Sequence, residues 1–419
     1  MENPKFASRG LAGAWVLLAV YVGLIAVNSP VRAQSESTVY TFTNSPDGAR
    51  PAAGLIMEQG KFYGTTVAGG TGNGGTVFKF NTSGEESVLY SFQPHPPPSA
   101  AIPPEQRGWV TDGANPYGGV VMDGQGNLYG TTAYGGLYSE SCHGCGTVFE
   151  VSATDEEKLL YTFAGSPDGA NPQGTLAMDA QGNVYGTTVN GGAHGKGTVF
   201  KLSPAGVETV LYSFEDAPDG ANPGAGVIMD GEGNLYGTTT YGGSQNTGIV
   251  FEVTLGGAET VLYRFCQQGG CADGGLPAGG LIMDAQGNLY GTASAFGEYG
   301  WGAVFKVTPG GEESVLYSFK DVPGDGAYPD GGVVMDARGN LYGTTTYGGA
   351  NFFYGTVFEL SPDNTETVLY SFCATNGCPD GSIPQALVLD AQGDLYGTTY
   401  EGGSANCYLG CGVVFKMTP

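Results

Sequence analysis

Charge is scarce in this chain, and positive charge scarcest of all. Of 419 residues 13% are Asp, Glu, Lys or Arg, and 15 Lys and Arg stand against 40 Asp and Glu. A formal net charge of −25 without any basic block is repelled by phosphate backbones and anionic lipid surfaces, so nucleic acid is excluded as a partner. Histidine is nearly missing: His95, His143 and His194 are far apart in the sequence. No sustained helical period occurs, which disfavours a parallel sheet with crossover helices. Only one long apolar run is present, Leu11 to Val27, so no second membrane span is expected. What the chain has in quantity is glycine, 75 residues, and aromatics, 11%. That combination suits short strands joined by tight turns, because glycine supplies turn geometry and aromatics fill pleated faces.

Lys5 and Arg9 precede the apolar run, and Val31-Arg32-Ala33 follows it. This pattern reads as a signal peptide over 1–33 with cleavage after Ala33, leaving 34–419 as the mature protein. Retention of the run as a membrane anchor is the alternative. The eight cysteines form four close pairs, Cys142 with Cys145, Cys266 with Cys271, Cys373 with Cys378 and Cys407 with Cys411. In an oxidising compartment such spacing predicts local disulfides that pin loops. Cys142-His143-Gly144-Cys145 also has the form of a zinc or redox motif, but two further ligands are missing nearby.

A segment like N-L-Y-G-T-T recurs around Tyr63, Tyr129, Tyr185, Tyr236, Tyr290, Tyr342 and Tyr396, at intervals of 51 to 66 residues. Each copy carries four strand-like runs, in the fourth copy Gly226 to Asp230, Asn234 to Thr239, Gly248 to Val253 and Glu259 to Phe265. Tight glycine-containing turns join the first pair and the last pair, as in an antiparallel meander. The phase of the array adds more: the mature chain starts with a fourth-strand sequence, Thr38 to Phe42, and ends with a third-strand sequence, Gly412 to Met417. Pairing these two strands completes a seventh unit and protects its edge. The expected fold is therefore all-β, a seven-bladed β-propeller whose ring is closed by the N-terminal strand. Loops after strands two and four then emerge on one face, which collects all four cysteine pairs and the insertion Gln93 to Thr111.

The units V-L-Y-S-F, D-G-A-N-P, M-D-A-Q-G-N-L-Y-G-T-T and G-T-V-F-K-L resemble the GloVer tandem repeat family of bacterial surface and secreted proteins, over about residues 37 to 418. The resemblance implies an exported, extracellular or periplasmic protein. It implies no catalytic residue and no substrate. Members carry varied C-terminal anchors, whereas this sequence stops at Pro419 just after a repeat strand, which favours release over surface sorting.

Two aspartate series repeat. Asp123, Asp179, Asp230, Asp284, Asp336 and Asp390 follow strand one, where a carboxylate accepts turn N–H groups. Asp47, Asp112, Asp168, Asp219, Asp273, Asp325 and Asp380 open the D-G-x-x-P loops. Calcium held within single loops is an option there, although each loop offers one carboxylate and calcium takes six or more oxygens. Catalysis needs unlike groups brought together, and the repeats supply like ones. Sialidase-type S-x-D-x-G-x-T-W boxes are absent, and no local motif marks a lactonase-like metal site.

Aromatics outside the repeat pattern concentrate in the variable loops: Tyr134, Tyr138, Tyr241, Phe296, Tyr299, Trp301, Tyr347, Phe352, Phe353, Tyr354, Tyr400 and Tyr408. Copy five departs furthest, with Ala293-Ser294-Ala295-Phe296 in place of T-T-x-Y and Trp301 just before strand three. Such side chains stack on sugars or peptide groups. The sequence thus predicts a monomeric, non-catalytic propeller that binds an extracellular glycan or protein through Tyr134, Tyr241, Phe296, Tyr299, Trp301, Tyr347, Phe352, Phe353 and Tyr400. A metal-assisted hydrolase or lyase acting at the axial opening is the alternative.

Overall fold

The computed structural model describes residues 35–93, 110–138, 142, 144–320, 322–350 and 352–419. The targeting segment expected at 1–33, His95 and His143, and most of the Pro-rich insertion lie outside the described residues. No helix among the described residues is long and apolar enough to cross a membrane.

Seven antiparallel sheets follow one another along 35–419. In the fourth, strands Ile228–Met229, Leu235–Thr239, Ile249–Val253 and Glu259–Arg264 pair in sequence order. The ends fall close to the sequence expectation, except that strand one is shorter. Upstream of it, a separate two-residue ladder that the sequence did not suggest pairs Gly220–Ala221 with Tyr241–Gly242. Between the two pieces, Asn222 to Val227 leaves the ladder and bends toward the centre of the ring. Blade seven shows the same interruption inside one strand, Ser382–Leu389, where pairing jumps from Pro384 to Leu387.

Strand four carries a one-residue bulge in every blade. Pairing steps from Val250↔Tyr263 to Phe251↔Val261 and leaves Leu262 out; Leu89, Leu160, Leu211, Leu316 and Leu369 are its equivalents, with Val39 in blade seven. A bulge bends and twists an outer strand, which suits the rim of a propeller.

Ring closure follows the phase of the sequence. Ser35–Thr41 pairs antiparallel with Val413–Thr418, Thr38 opposite Phe415 and Tyr40 opposite Val414, and so completes blade seven. Seven hydrophobic clusters then lie one at each contact between neighbouring blades, including the cluster of Phe42, Phe62, Phe78, Tyr396 and Val414 that joins blade seven to blade one.

Within every contact the strand-four Phe meets the strand-three Phe of the next blade edge to face. The centroid separations run from 5.0 to 5.2 Å for Phe42–Phe78, Phe92–Phe149, Phe163–Phe200, Phe214–Phe251, Phe265–Phe305, Phe319–Phe358 and Phe372–Phe415. Edge-to-face rings at 4.5–7 Å add to the energy of burial itself. The glycine of L-Y-G-T-T follows from this packing: a Cβ on Gly237 would stand 2.6 Å from Cζ of Phe251. Aromatic regularity is the framework of the ring.

Candidate functional site

The two aspartate series are absorbed by local bonding. Asp230 Oδ1 accepts the N–H groups of Glu232 and Asn234, and Oδ2 accepts Asn234 Nδ2 and the Tyr236 hydroxyl at 3.0 Å. Burial works to raise that carboxyl, but these bonds outweigh it and hold it below its ordinary value. In the second series each carboxylate accepts the hydroxyl of a strand-four tyrosine, from 2.6 Å for Tyr90–Asp112 to 3.1 Å for Tyr317–Asp325. Tyr40–Asp47, Tyr161–Asp168, Tyr212–Asp219, Tyr263–Asp273 and Tyr370–Asp380 complete the seven. Backbone N–H groups add to them at Thr43, Ala164, Glu215, Gln267, Lys320 and Cys373. No group of three or more His, Cys, Asp or Glu among the described residues is arranged to hold a metal ion.

The same tyrosine–aspartate pairs face a third group that the repeat pattern conceals. Glu86, Glu157, Glu208, Glu259, Glu313 and Glu366 begin strand four of blades one to six, each facing the pair contributed by the preceding blade. Each has a buried Oε1 without a hydrogen-bond partner. Burial first, and the neighbouring aspartate second, raise these carboxyls from 4.5 to about 7.

The four expected disulfides are present, Cys142–Cys145, Cys266–Cys271, Cys373–Cys378 and Cys407–Cys411. All four lie in loops after strand two or strand four. Their backbone is tied to neighbouring loops, as in Asn171 N–H to Cys145 O and Gly403 N–H to Cys378 O. The variable face is thus a knitted surface.

At its centre the residue before the proline of each D-G-x-x-P loop is left-handed, φ 54° to 60°, in all seven copies: Arg50, Asn115, Asn171, Asn222, Leu276, Tyr328 and Ile383. Asparagine tolerates this conformation, and branched or bulky residues strain in it. Neighbouring bonds impose it: Asn222 N–H donates to Lys196 O, and Asn222 O accepts Thr240 N–H. Asn115, Asn171 and Asn222 also cap a carbonyl of the preceding blade with Nδ2, at 2.8 to 2.9 Å. Leu276, Tyr328, Ile383 and Arg50, on consecutive blades five, six, seven and one, do not make that bond. At these four positions the left-handed backbone is kept without that bond.

Two aromatic groups result. Tyr328 stands edge to face between Trp301, at 5.5 Å, and Tyr347, at 5.7 Å. Tyr299, on blade five like Trp301, lies under Lys320 Nζ, 5.5 Å from the ring centre, and Phe352 and Phe353 are exposed on the same blade as Tyr347. The second group carries Arg50 over the Tyr400 ring at 5.7 Å, with Tyr117 and Tyr134 nearby. Of the expected binding residues, Trp301 and Tyr347 are brought together through Tyr328, and Tyr134 and Tyr400 join the second group. Phe296 packs over Gly275 with its edge exposed, and Tyr241 is exposed on blade four. Tyr138 is buried, 4% exposed, and belongs to the framework of its loop. Sequence reasoning missed Tyr328, Arg50 and Tyr117. Their signal was present, since they flank the loop proline at positions where other copies carry Asn, Leu or Ile before it and Ala, Gln, Gly or Asp after it.

Below these loops the innermost segments enclose an axial cavity of about 390 Å³, lined mainly by the glycines and alanines after each loop proline. Tyr117, Gln173, Thr175, Asp330 and Gln385 are the polar side chains on its wall. Asp330 Oδ2 accepts the Thr346 hydroxyl at 2.7 Å.

A solved structure shares this architecture. The chain is similar in fold to the extracellular domain of a protein assigned as a hybrid two-component system of B. thetaiotaomicron, at 10% identity and a TM-score of 0.56. That match covers 91% of this chain and 39% of the other, so the chain spans well under half of that relative. A gluconolactonase of Xanthomonas campestris matches at 14% identity and a TM-score of 0.43, over 92% of this chain and 89% of that one. At such identities the likeness is one of fold alone. No curated protein matches the sequence. The model of the Gloeobacter/Verrucomicrobia repeat matches residues 27–141, 105–295 and 277–419, and the chain belongs to that repeat family.

Proposed function

We propose that the protein is an exported, non-catalytic propeller that binds a neutral extracellular glycan through the variable face of blades five and six. The observation that carries this reading is the Trp301–Tyr328–Tyr347 run, with Tyr299 exposed on blade five and Phe352 and Phe353 exposed on blade six. Sugar rings present C–H faces that pack on aromatic rings, and rigid aromatics give contact area at small entropic cost. The four disulfides support export, because they persist in oxidising compartments. Against the alternative of a metal-assisted hydrolase or lyase at the axial opening stands the wall of the axial cavity, whose lining holds one carboxylate, Asp330, too few charged ligands for a firm divalent site.

A glycan array on the disulfide-bonded protein, followed by titration calorimetry with the best oligosaccharide, tests the reading. Replacing Phe296, Tyr299 and Trp301 together by alanine is expected to weaken binding by roughly thirtyfold or more, the scale of one lost hot spot of about 2 kcal/mol. Unchanged affinity in the triple variant would place the site elsewhere.

A further inference from the structure

We infer that the axial mouth is a second part of the same binding surface, a subsite for the end of a neutral glycan in which Asp330 accepts two neighbouring sugar hydroxyls. The inference rests on the glycan reading above and adds the ligand's charge class and the point of entry. Three observations carry it.

The first is chemical diversity at one place. Seven equivalent positions after the loop proline line the axial cavity, and they are Ala52, Tyr117, Gln173, Gly224, Ala278, Asp330 and Gln385. A purely structural ring would repeat one small residue. Here one carboxylate, two amides and a phenol face a shared space of about 390 Å³, within the range of pockets that hold a small ligand. With Asp330 on blade six, the seven-fold order sets Tyr117 and Gln173, on blades two and three, across the opening. A ring placed between them meets a stacking surface on one side and hydrogen-bonding groups on the other.

The second is unused bonding capacity. Asp330 accepts the Thr346 hydroxyl through one oxygen, and a carboxylate has about four lone-pair sites. Thr292, fully buried, keeps a hydroxyl without a partner, beside Gly279 on the cavity wall. In blades one, three, six and seven the equivalent hydroxyl donates across the blade contact, Thr65 to Gly118 O, Thr187 to Ala225 O, Thr344 to Gln385 O and Thr398 to Ala53 O. In blades two and four, as in five, the hydroxyl stays unpartnered, at Thr131 and Thr238, so three of the seven blades keep such a hydroxyl unused.

The third is charge. Asp330 is the sole charged group of the lining, in a protein of net charge −25. Anionic sugars are repelled. A divalent cation finds a single carboxylate, too few charged ligands for a firm site. The surrounding wall raises that carboxyl despite its bonds with Thr346 and Ser294, although the Asp330 residue itself is exposed at the opening. Neutral vicinal hydroxyls match a lone acceptor flanked by amides.

The test is saturation-transfer NMR on the disulfide-bonded protein with methyl glycosides of glucose, galactose and mannose, with glucuronate as the anionic probe and calcium chloride as competitor. Transfer to at least one neutral glycoside is expected, with none to glucuronate and no response to calcium. Asp330→Ala and, separately, Gln173→Ala should each reduce the transfer at least fivefold while melting within a few degrees of the parent. Tm is measured on each variant for that purpose. If both leave the transfer intact while Trp301→Ala removes it, the axial subsite is refuted and the aromatic-face reading stands. If Trp301→Ala has no effect either, or no neutral glycoside responds, both are refuted. Transfer that requires calcium, or is displaced by it, would assign Asp330 to a cation instead.

Discussion

Deleting residues 34 to 43 from the mature protein should abolish the folded monomer. The deleted strand supplies the outer edge of blade seven through its pairing with Val413–Thr418. It also supplies Phe42, fully buried and edge to face with Phe78 at 5.1 Å. Truncating one buried Phe to Ala costs about 3–5 kcal/mol, and domains are commonly stable by only about 5–15 kcal/mol. Loss of a whole strand with its ladder therefore exceeds what the ring can absorb. It also exposes the backbone of Val413–Thr418 as an open edge that invites association. Light scattering and far-ultraviolet circular dichroism should show aggregate or unfolded chain, and a synthetic peptide of residues 35 to 43 added in trans should recover part of the monomer. Phe42→Ala is the milder version, a drop of roughly 3–5 kcal/mol in a chain that still folds. An unaltered monomer melting at the parental temperature after the deletion would refute closure by strand exchange.

The second large effect concerns pH. Each of the six strand-four glutamates faces an aspartate and a tyrosine of the preceding blade: Glu86 meets Asp47 and Tyr40, and Glu208 meets Asp168 and Tyr161. Glu157 meets Asp112 and Tyr90, and Glu313 meets Asp273 and Tyr263. Glu259 has Arg264 besides Asp219 and Tyr212, and Glu366 has Lys320 besides Asp325 and Tyr317, cations that ease but do not reverse the rise. With folded values near 7 and an ordinary value of 4.5, the folded protein holds more protons than the unfolded chain across that interval. Stability then falls as pH climbs from 4.5 to 7, and the loss is complete above 7. The hairpin aspartates act oppositely: Asp123, Asp179, Asp230, Asp284 and Asp336 are held low, so their contribution is lost only as pH drops below about 4. The melting temperature should therefore peak on the acid side, between pH 4 and 5, and decline steadily to pH 8. Changing all six glutamates to glutamine should flatten that decline. A melting temperature that rises from pH 5 to pH 8 would refute the linkage.

Regular features of this molecule were legible because a repeat states the same constraint seven times. The spacing of Tyr63 and its equivalents set the blade count, and the offset between Thr38–Phe42 and Gly412–Met417 set the closure. The recurring Phe and Asp residues were rightly read as framework, since each Phe meets its partner across a blade contact and each Asp is occupied by a turn or a tyrosine. What escaped depends on relations between copies. Glu86 and its equivalents look like exposed strand-end residues until the preceding blade brings Asp47 and Tyr40 against them. Tyr328 and Arg50 sit in a position that reads as turn chemistry where it is Asn, and the left-handed ring shows only in three dimensions. Asp330 is one acid among forty in the sequence, and ring geometry alone singles it out. Tyr138, a loop aromatic outside the expected binding set, is buried.

The central claim is that ligand recognition lies where the repeats disagree, on blades five and six of the variable face. Residues 34–419 contain two tryptophans, Trp109 and Trp301, so a Trp109→Phe variant leaves Trp301 as the only indole. The indole N–H resonance of Trp301 in that variant should shift and saturate as a neutral oligosaccharide is titrated in, in step with the backbone amides of Tyr328 and Tyr347. An indole signal that stays in place while amides of the opposite hairpin face, around Asp123 or Asp230, move instead would contradict the account.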